Sequence, residues 1–125
     1  MKRLVVESWF LLLCFEWIMR FRDFKALYRS VREHPARPTA ASGTVSQEDL
    51  CRAMDYACVF YLKRVFCLQR SAATTLLLRR YGLDAELVIG AKLLPFRSHA
   101  WVELNGQVIN DRPYMHTIYQ VLERC

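Results

Sequence analysis

The stretch VFCLQRSAATTLLLRRYG, residues 65–82, decides the fold. From Cys67 onward it reads as a helix carrying Leu76, Leu77 and Leu78, and Gly82 sits where helices commonly stop. Cys67 stands at the N-terminal end of that helix. Unpaired amides and the helix dipole favour negative charge there, which is how thiols become nucleophiles. A cysteine in apolar company is otherwise a small core residue. On these residues alone the two readings of Cys67 carry equal weight.

Upstream, residues 3–33 read as helix broken once, with leucines and aromatics dominating one side. HPARPTAASGT (34–44) supplies prolines, a glycine and small residues, and reads as a loop. Ser46, with Asp49 three residues on, opens another helix whose apolar pattern runs to about Leu62. A short connection, KRVF, leads to Cys67. Downstream, AELVIGAK (85–92), SHAWVEL (98–104) and QVIN (107–110) read as strands, and the tail MHTIYQVLERC as a short helix. Helices followed by an antiparallel meander predict an α+β fold. The expected organisation is a single domain over 1–125, with a helical part at 1–33, a loop at 34–45 and a core at 46–125.

The chain has 125 residues, of which 54% are hydrophobic and 24% charged, enough for one packed core. Eighteen Lys and Arg against twelve Asp and Glu leave a net charge of +6. The basic residues form no block longer than two and accompany no nucleic-acid-binding motif, so no nucleic-acid partner is expected. Glu7 and Glu16 interrupt the apolar N-terminal run, and no small-residue cleavage site follows it. The expectation is therefore a buried amphipathic helix, no membrane partner and a cytoplasmic protein. The five cysteines include no CxxC or Cys/His metal spacing, so neither a disulfide framework nor a metal or other cofactor is expected. Cys14, Cys51 and Cys58 are read as core, and Cys125 as exposed.

Thiol chemistry also needs a base and a group to orient it. Of His34, His99 and His116, His99 opens a strand whose neighbour leads to Asp111. The intervening turn tests this pairing. A two-residue Asn105-Gly106 turn pairs Leu104 with Gln107 and sets His99 opposite Arg112. A three-residue loop with a bulge at Gly106 pairs Glu103 with Gln107 and sets Asp111 opposite His99, about 5 Å away at Cβ. The bulged turn is the prediction, and a plain two-residue turn counts against the triad.

The segment CLQRSAATTLLLRRYGLDAELVIGAKLLPFRSHAWVELNGQVIND (67–111) resembles the leader peptidases of lasso-peptide biosynthesis, which are transglutaminase-like, papain-related cysteine enzymes. The Cys followed by Arg-Ser, the helix ending Arg-Arg-x-Gly, the LVIG strand, HAWVE, and the Asn-Asp after the hairpin carry the likeness. It covers 67–111 closely and the preceding helices loosely. The resemblance implies a papain/transglutaminase-like core with Cys67 as nucleophile, His99 as general base then acid, and Asp111 as orienter. It implies a leader–core precursor peptide as substrate. It also implies an ATP-dependent macrolactam synthetase and a winged-helix leader-recognition domain, either fused or separate, as partners; because the sequence opens on its helical part, a separate recognition protein, the split form, is expected here.

Other residues keep blander readings. Arg70 and Ser71 share the helical face of Cys67. Arg70 is read equally as a solvated arginine and as a brace for strands or substrate, and Ser71 as a capping hydroxyl. Trp101 should share the face of His99. The N-terminal aromatics are read as core, with Trp9, Phe10 and Trp17 as the residues of any docking face. Two rival functions stand: an acyltransferase or transglutaminase using the same triad, and a non-catalytic scaffold that delivers precursor to the synthetase.

Overall fold

The computed structural model describes residues 2–36, 46–93, 96–109 and 115–125. Its elements run α1 (Lys2–Phe21), α2 (Phe24–Arg32), α3 (Gln47–Val59), α4 (Cys67–Arg80), β1 (Ala85–Leu93), β2 (Phe96–Leu104), β3 (Gln107–Val108), α5 (Met115–Ile118) and β4 (Gln120–Arg124). The class is α+β. The break in the N-terminal helical segment falls at Asp23, whose carboxylate accepts the Ala26 N–H at 2.9 Å and so starts α2. Ser46 caps α3 in the same way, accepting the Asp49 N–H at 3.2 Å.

Helix α4 is the centre of the molecule. Every residue from Ser71 to Arg79 is buried, with α1 and α3 on one side and the sheet on the other. Ala72 and Ala73 allow close approach. The buried hydroxyls of Thr74 and Thr75 donate to the carbonyls of Arg70 and Ser71, each at 2.8 Å, so they carry no unpaired polar atom inside. Leu76, Leu77 and Leu78 join Leu12, Phe15, Leu27, Leu50 and Met54 in the core, each such side chain contributing about 2 kcal/mol of apolar burial. The helix ends as expected at Gly82, with φ +86°. Leu83 N–H reaches Leu78 O at 3.0 Å and Gly82 N–H reaches Arg79 O at 3.1 Å, a Schellman stop.

The sheet order is β3-β2-β1-β4, antiparallel throughout. Here the tail departs from expectation. Residues 115–125 are not one helix: α5 is a single turn, and β4 then adds to the open edge of β1. Cys125 N–H and O bond Leu87 O and N–H at 2.8 and 3.1 Å. The unpaired backbone of β1 is the cause, because a strand edge offers donors and acceptors that a helix would leave unsatisfied. The alternating burial of β4 fits this.

Three smaller expectations are also corrected. α3 stops at Val59 rather than near Leu62. Cys14 is exposed, and Cys51, Cys58 and Cys125 are partly buried. On α1, Leu4, Ser8, Leu12 and Phe15 face the core, whereas Val6, Phe10, Trp17 and Phe21 lie on the outer side and are exposed. The helix is therefore apolar on two faces, and hydrophobicity alone did not distinguish them.

Candidate active site

Cys67 is the first residue of α4 and is exposed. Phe66 occupies the cap position in an extended conformation and gives no side-chain hydrogen bond. No cap side chain therefore covers the first-turn amides at Cys67. Two contacts hold this turn in place. Buried Gln69 donates from Nε2 to Leu12 O on α1 at 2.7 Å, and Ser71 Oγ donates to Ala100 O on β2 at 3.1 Å. Ser71 is thus a tie to the sheet rather than a cap. Arg70 pairs with Asp55 of α3, which makes it a brace between helices.

The Ser71 tie fixes the longitudinal position of the thiol. At the far end of the helix, Arg79 Nε donates to Ala85 O at 2.9 Å, and Ala85 pairs with Leu104. Ser71 to Arg79 is about 12 Å of helix, and Ala100 to Leu104 about 13 Å of strand, so α4 and β2 run side by side in one direction. Counting back one turn from Ser71 brings Cys67 level with Ser98 and His99.

The faces differ, however. Ala100, Val102 and Leu104 point into the α4 core, whereas Trp101 belongs to a second cluster with Val88 and Met115. His99 shares the face of Trp101, as expected. Its imidazole stacks at 25° on Trp101 (6.3 Å between centroids) and on Tyr119 (5.6 Å). Thiol and imidazole therefore reach the same end of the layer from opposite faces of β2. The described part of β3 flanks only the far end of β2, the last link being Ile109 N–H to Val102 O at 3.0 Å. The His99 end of the strand lies beyond it.

The expected bulged turn is not formed. Leu104 pairs with Gln107 and Glu103 with Val108, and Asn105 and Gly106 both lie in the left-handed region, at φ +53° and +79°. This is a two-residue turn of the kind Asn-Gly favours. The register that set Asp111 opposite His99 is absent up to Ile109. Asp111 itself lies outside the described residues, as do the side chain of His116 and most of the loop read at 34–45.

Tyr119 was not foreseen, because it is twenty residues beyond His99 with no motif between them to signal the contact. Arg79 was also missed. It is buried and donates to the carbonyls of Ala85, Val31, His34 and Cys125. Cavities flank α4 among the described residues. One of 740 Å³, lined by Leu11, Cys14, Ile18, Leu76 and Arg80, lies toward its C-terminal end, away from Cys67. Another, of 310 Å³, is lined by Glu16, Met19, Arg20, Lys63, Phe66 and Gln69 and adjoins the residue before the thiol. Among the described residues, no group of three His, Cys, Asp or Glu could hold a metal, and no helix is long and apolar enough to cross a membrane.

Comparison with known proteins agrees with this architecture. No solved structure matches the chain. A stretch of 56 residues is 48% identical to the microcin J25-processing protein McjB of Escherichia coli; it makes up 45% of this chain and 27% of that protein, so the match spans about a quarter of the relative's length. The model of the transglutaminase-like superfamily matches residues 9–124, nearly the whole of the described fold. The chain belongs to the transglutaminase-like superfamily.

Proposed function

We propose that this protein is a cysteine peptidase that removes the leader from a ribosomally made lasso-peptide precursor in the cytoplasm. Cys67 Sγ attacks the carbonyl of the leader–core bond. His99 takes the thiol proton and delivers it to the departing core amine, leaving the leader as a thioester on Cys67. Water, activated by His99, then hydrolyses the thioester and frees a leader carboxylate. The Cys67 N–H is the natural first donor to the oxyanion. Asp111 orients His99 on the strength of the resemblance alone, since the hairpin register lends it no support.

The observation that carries this reading is the Ser71–Ala100 hydrogen bond, which brings an exposed helix-initial cysteine level with His99 in a transglutaminase-like chain. The name of the relative, a processing protein for microcin J25, supports the substrate class. The reading requires thiol and imidazole to meet around the edge of β2, beyond the described part of β3. The 310 Å³ cavity beside Phe66 offers space for a substrate side chain. A separate leader-recognition protein presents the precursor, and a macrolactam synthetase takes the freed core.

One observation favours the scaffold alternative: His99 faces away from α4, against Trp101 and Tyr119. Mass spectrometry of a leader–core precursor, incubated with this protein and its leader-recognition partner, separates the three readings. A peptidase yields a free core amine and a leader carboxylate, and Cys67→Ala abolishes both. Transfer of the leader to an added amine identifies an acyltransferase. Uncleaved precursor with undiminished pathway output in Cys67→Ala identifies the scaffold.

A further inference from the structure

Resting on the peptidase reading, we propose that Tyr119 and Trp101 form an aromatic seat that sets the orientation of the His99 ring, and that Gly90 is a glycine because the seat lies directly on it. All three are positioning residues. None touches the reacting bond.

The three rings close a triangle. His99–Tyr119 is 5.6 Å between centroids, Trp101–Tyr119 6.1 Å and His99–Trp101 6.3 Å. An imidazole stacked on two rings at 25° loses the rotation about Cβ–Cγ that an isolated surface histidine keeps. Each wall is itself fixed. Trp101 is fully buried, and its Nε1 donates to Glu103 Oε2 at 2.9 Å, while Glu103 Oε1 accepts from Arg124 of β4 at 2.9 Å. Tyr119 closes the α5 turn, its N–H bonding Met115 O at 3.0 Å, and the Lys92 ammonium stands 5.8 Å from its ring centroid.

The floor is backbone. Gly90 pairs with His99 across the β1–β2 ladder, at the point where the β1–β4 register shifts. A Cβ there would lie 2.7 Å from Trp101 Cη2 and 2.8 Å from Tyr119 Cβ, both closer than real side chains come. The indole edge and the first carbon of Tyr119 thus occupy the volume that any other residue would take. The bulge and β4 have a role beyond closing the sheet, since they carry Tyr119 to the histidine.

The test uses two readouts on the full chain. Proton NMR of the His99 ring reads the seat directly, because stacked aromatic rings displace its Cε1 and Cδ2 protons upfield. Cys67-dependent hydrolysis of 4-nitrophenyl acetate, corrected with Cys67→Ala, reads its consequence for the thiol. Tyr119→Ala should return the His99 protons toward free-histidine positions and lower kcat by about ten- to a hundredfold with KM little changed, as small misplacements of catalytic groups do. Tyr119→Phe keeps the ring and should restore both. Gly90→Ala should move the His99 protons in the same sense as Tyr119→Ala.

Unchanged ring protons in Tyr119→Ala would overturn the seat. So would a Tyr119→Phe variant as impaired as Tyr119→Ala, because the hydroxyl and not the ring would then matter. A wild type that shows the upfield protons but does not cleave precursor overturns the peptidase reading instead, and leaves the seat standing.

Discussion

The hydroxyl of Ser71 donates to the carbonyl oxygen of Ala100 across the α4–β2 interface at 3.1 Å, one turn below Cys67 and one residue beyond His99. Both residues are buried. Ser71→Ala should cost about 1 kcal/mol, the usual net value of such a bond. The urea midpoint should fall with unchanged slope, since no surface is newly exposed. An unchanged midpoint would mean that the tie does not hold the helix.

Arg79 offers a harsher test. Its guanidinium is buried and serves four carbonyls from α2, the turn after α2, β1 and the C-terminal residue. Burial also depresses its pKa from the ordinary value, with nearby acidic groups opposing that shift. Arg79→Met keeps much of the volume but strands the carbonyls, and should cost about 3 kcal/mol or more. Thermal unfolding reads it, and a melting temperature within a degree or two of wild type would refute the clamp.

Alkaline pH should weaken the fold. Burial pushes the Cys51 thiol up to about 11, and burial with the Glu16 hydrogen bond pushes the Tyr61 hydroxyl up to about 12. Both groups are held neutral in the folded chain and ionise more readily when it unfolds. Their contribution is complete below the unfolded values, about 8.5 and 10, and is lost as pH rises through the folded ones. Stability should therefore decline from about pH 9 upward, and Cys51→Ala should flatten the first part of the decline. A flat stability profile from pH 8 to 11 would contradict this.

The cysteines should differ in reactivity. Cys14 and Cys67 are exposed, so both should be open to iodoacetamide while Cys51 and Cys58 are protected. If Cys67 and His99 work as a pair, Cys67 should outpace Cys14 at pH 6 and lose that advantage in His99→Ala. Equal rates at the two exposed thiols would count against the pair. Peptide mapping after short exposure resolves them.

Parts of this fold were legible because they are written locally. Ser46 with Asp49 and Tyr81 with Gly82 mark helix ends through hydrogen bonds made within a few residues, and the structure makes those bonds. The strands β1 and β2 carry the short continuous apolar runs, Leu87 to Ile89 and Ala100 to Val102, that a sheet with two covered faces needs. What was misread depends on distant partners. The tail became a strand because β1 had an edge to fill. Arg79 reads locally as a cation suited to a helix C-terminus, yet its acceptors come from distant parts of the chain. The hairpin is ambiguous for another reason: Asn105-Gly106 suits both turn lengths, and the chain takes the shorter, in which Leu104 pairs with Gln107. At the candidate site, Cys67 and His99 were found from sequence, while the faces they occupy and the contact with Tyr119 emerge only when the sheet is assembled.

The parallel run of α4 and β2 makes the helix a ruler. It is pinned near one end by Ser71 and at the other by Arg79, and Cys67 stands at its tip. Substitutions on its buried face between those two pins change how tightly it packs but not where the tip falls. A residue inserted between Ser71 and Arg79 would instead swing everything before it by about 100° and shift it by about 1.5 Å. The position of the thiol is thus encoded less in the identity of its neighbours than in the count of residues behind it.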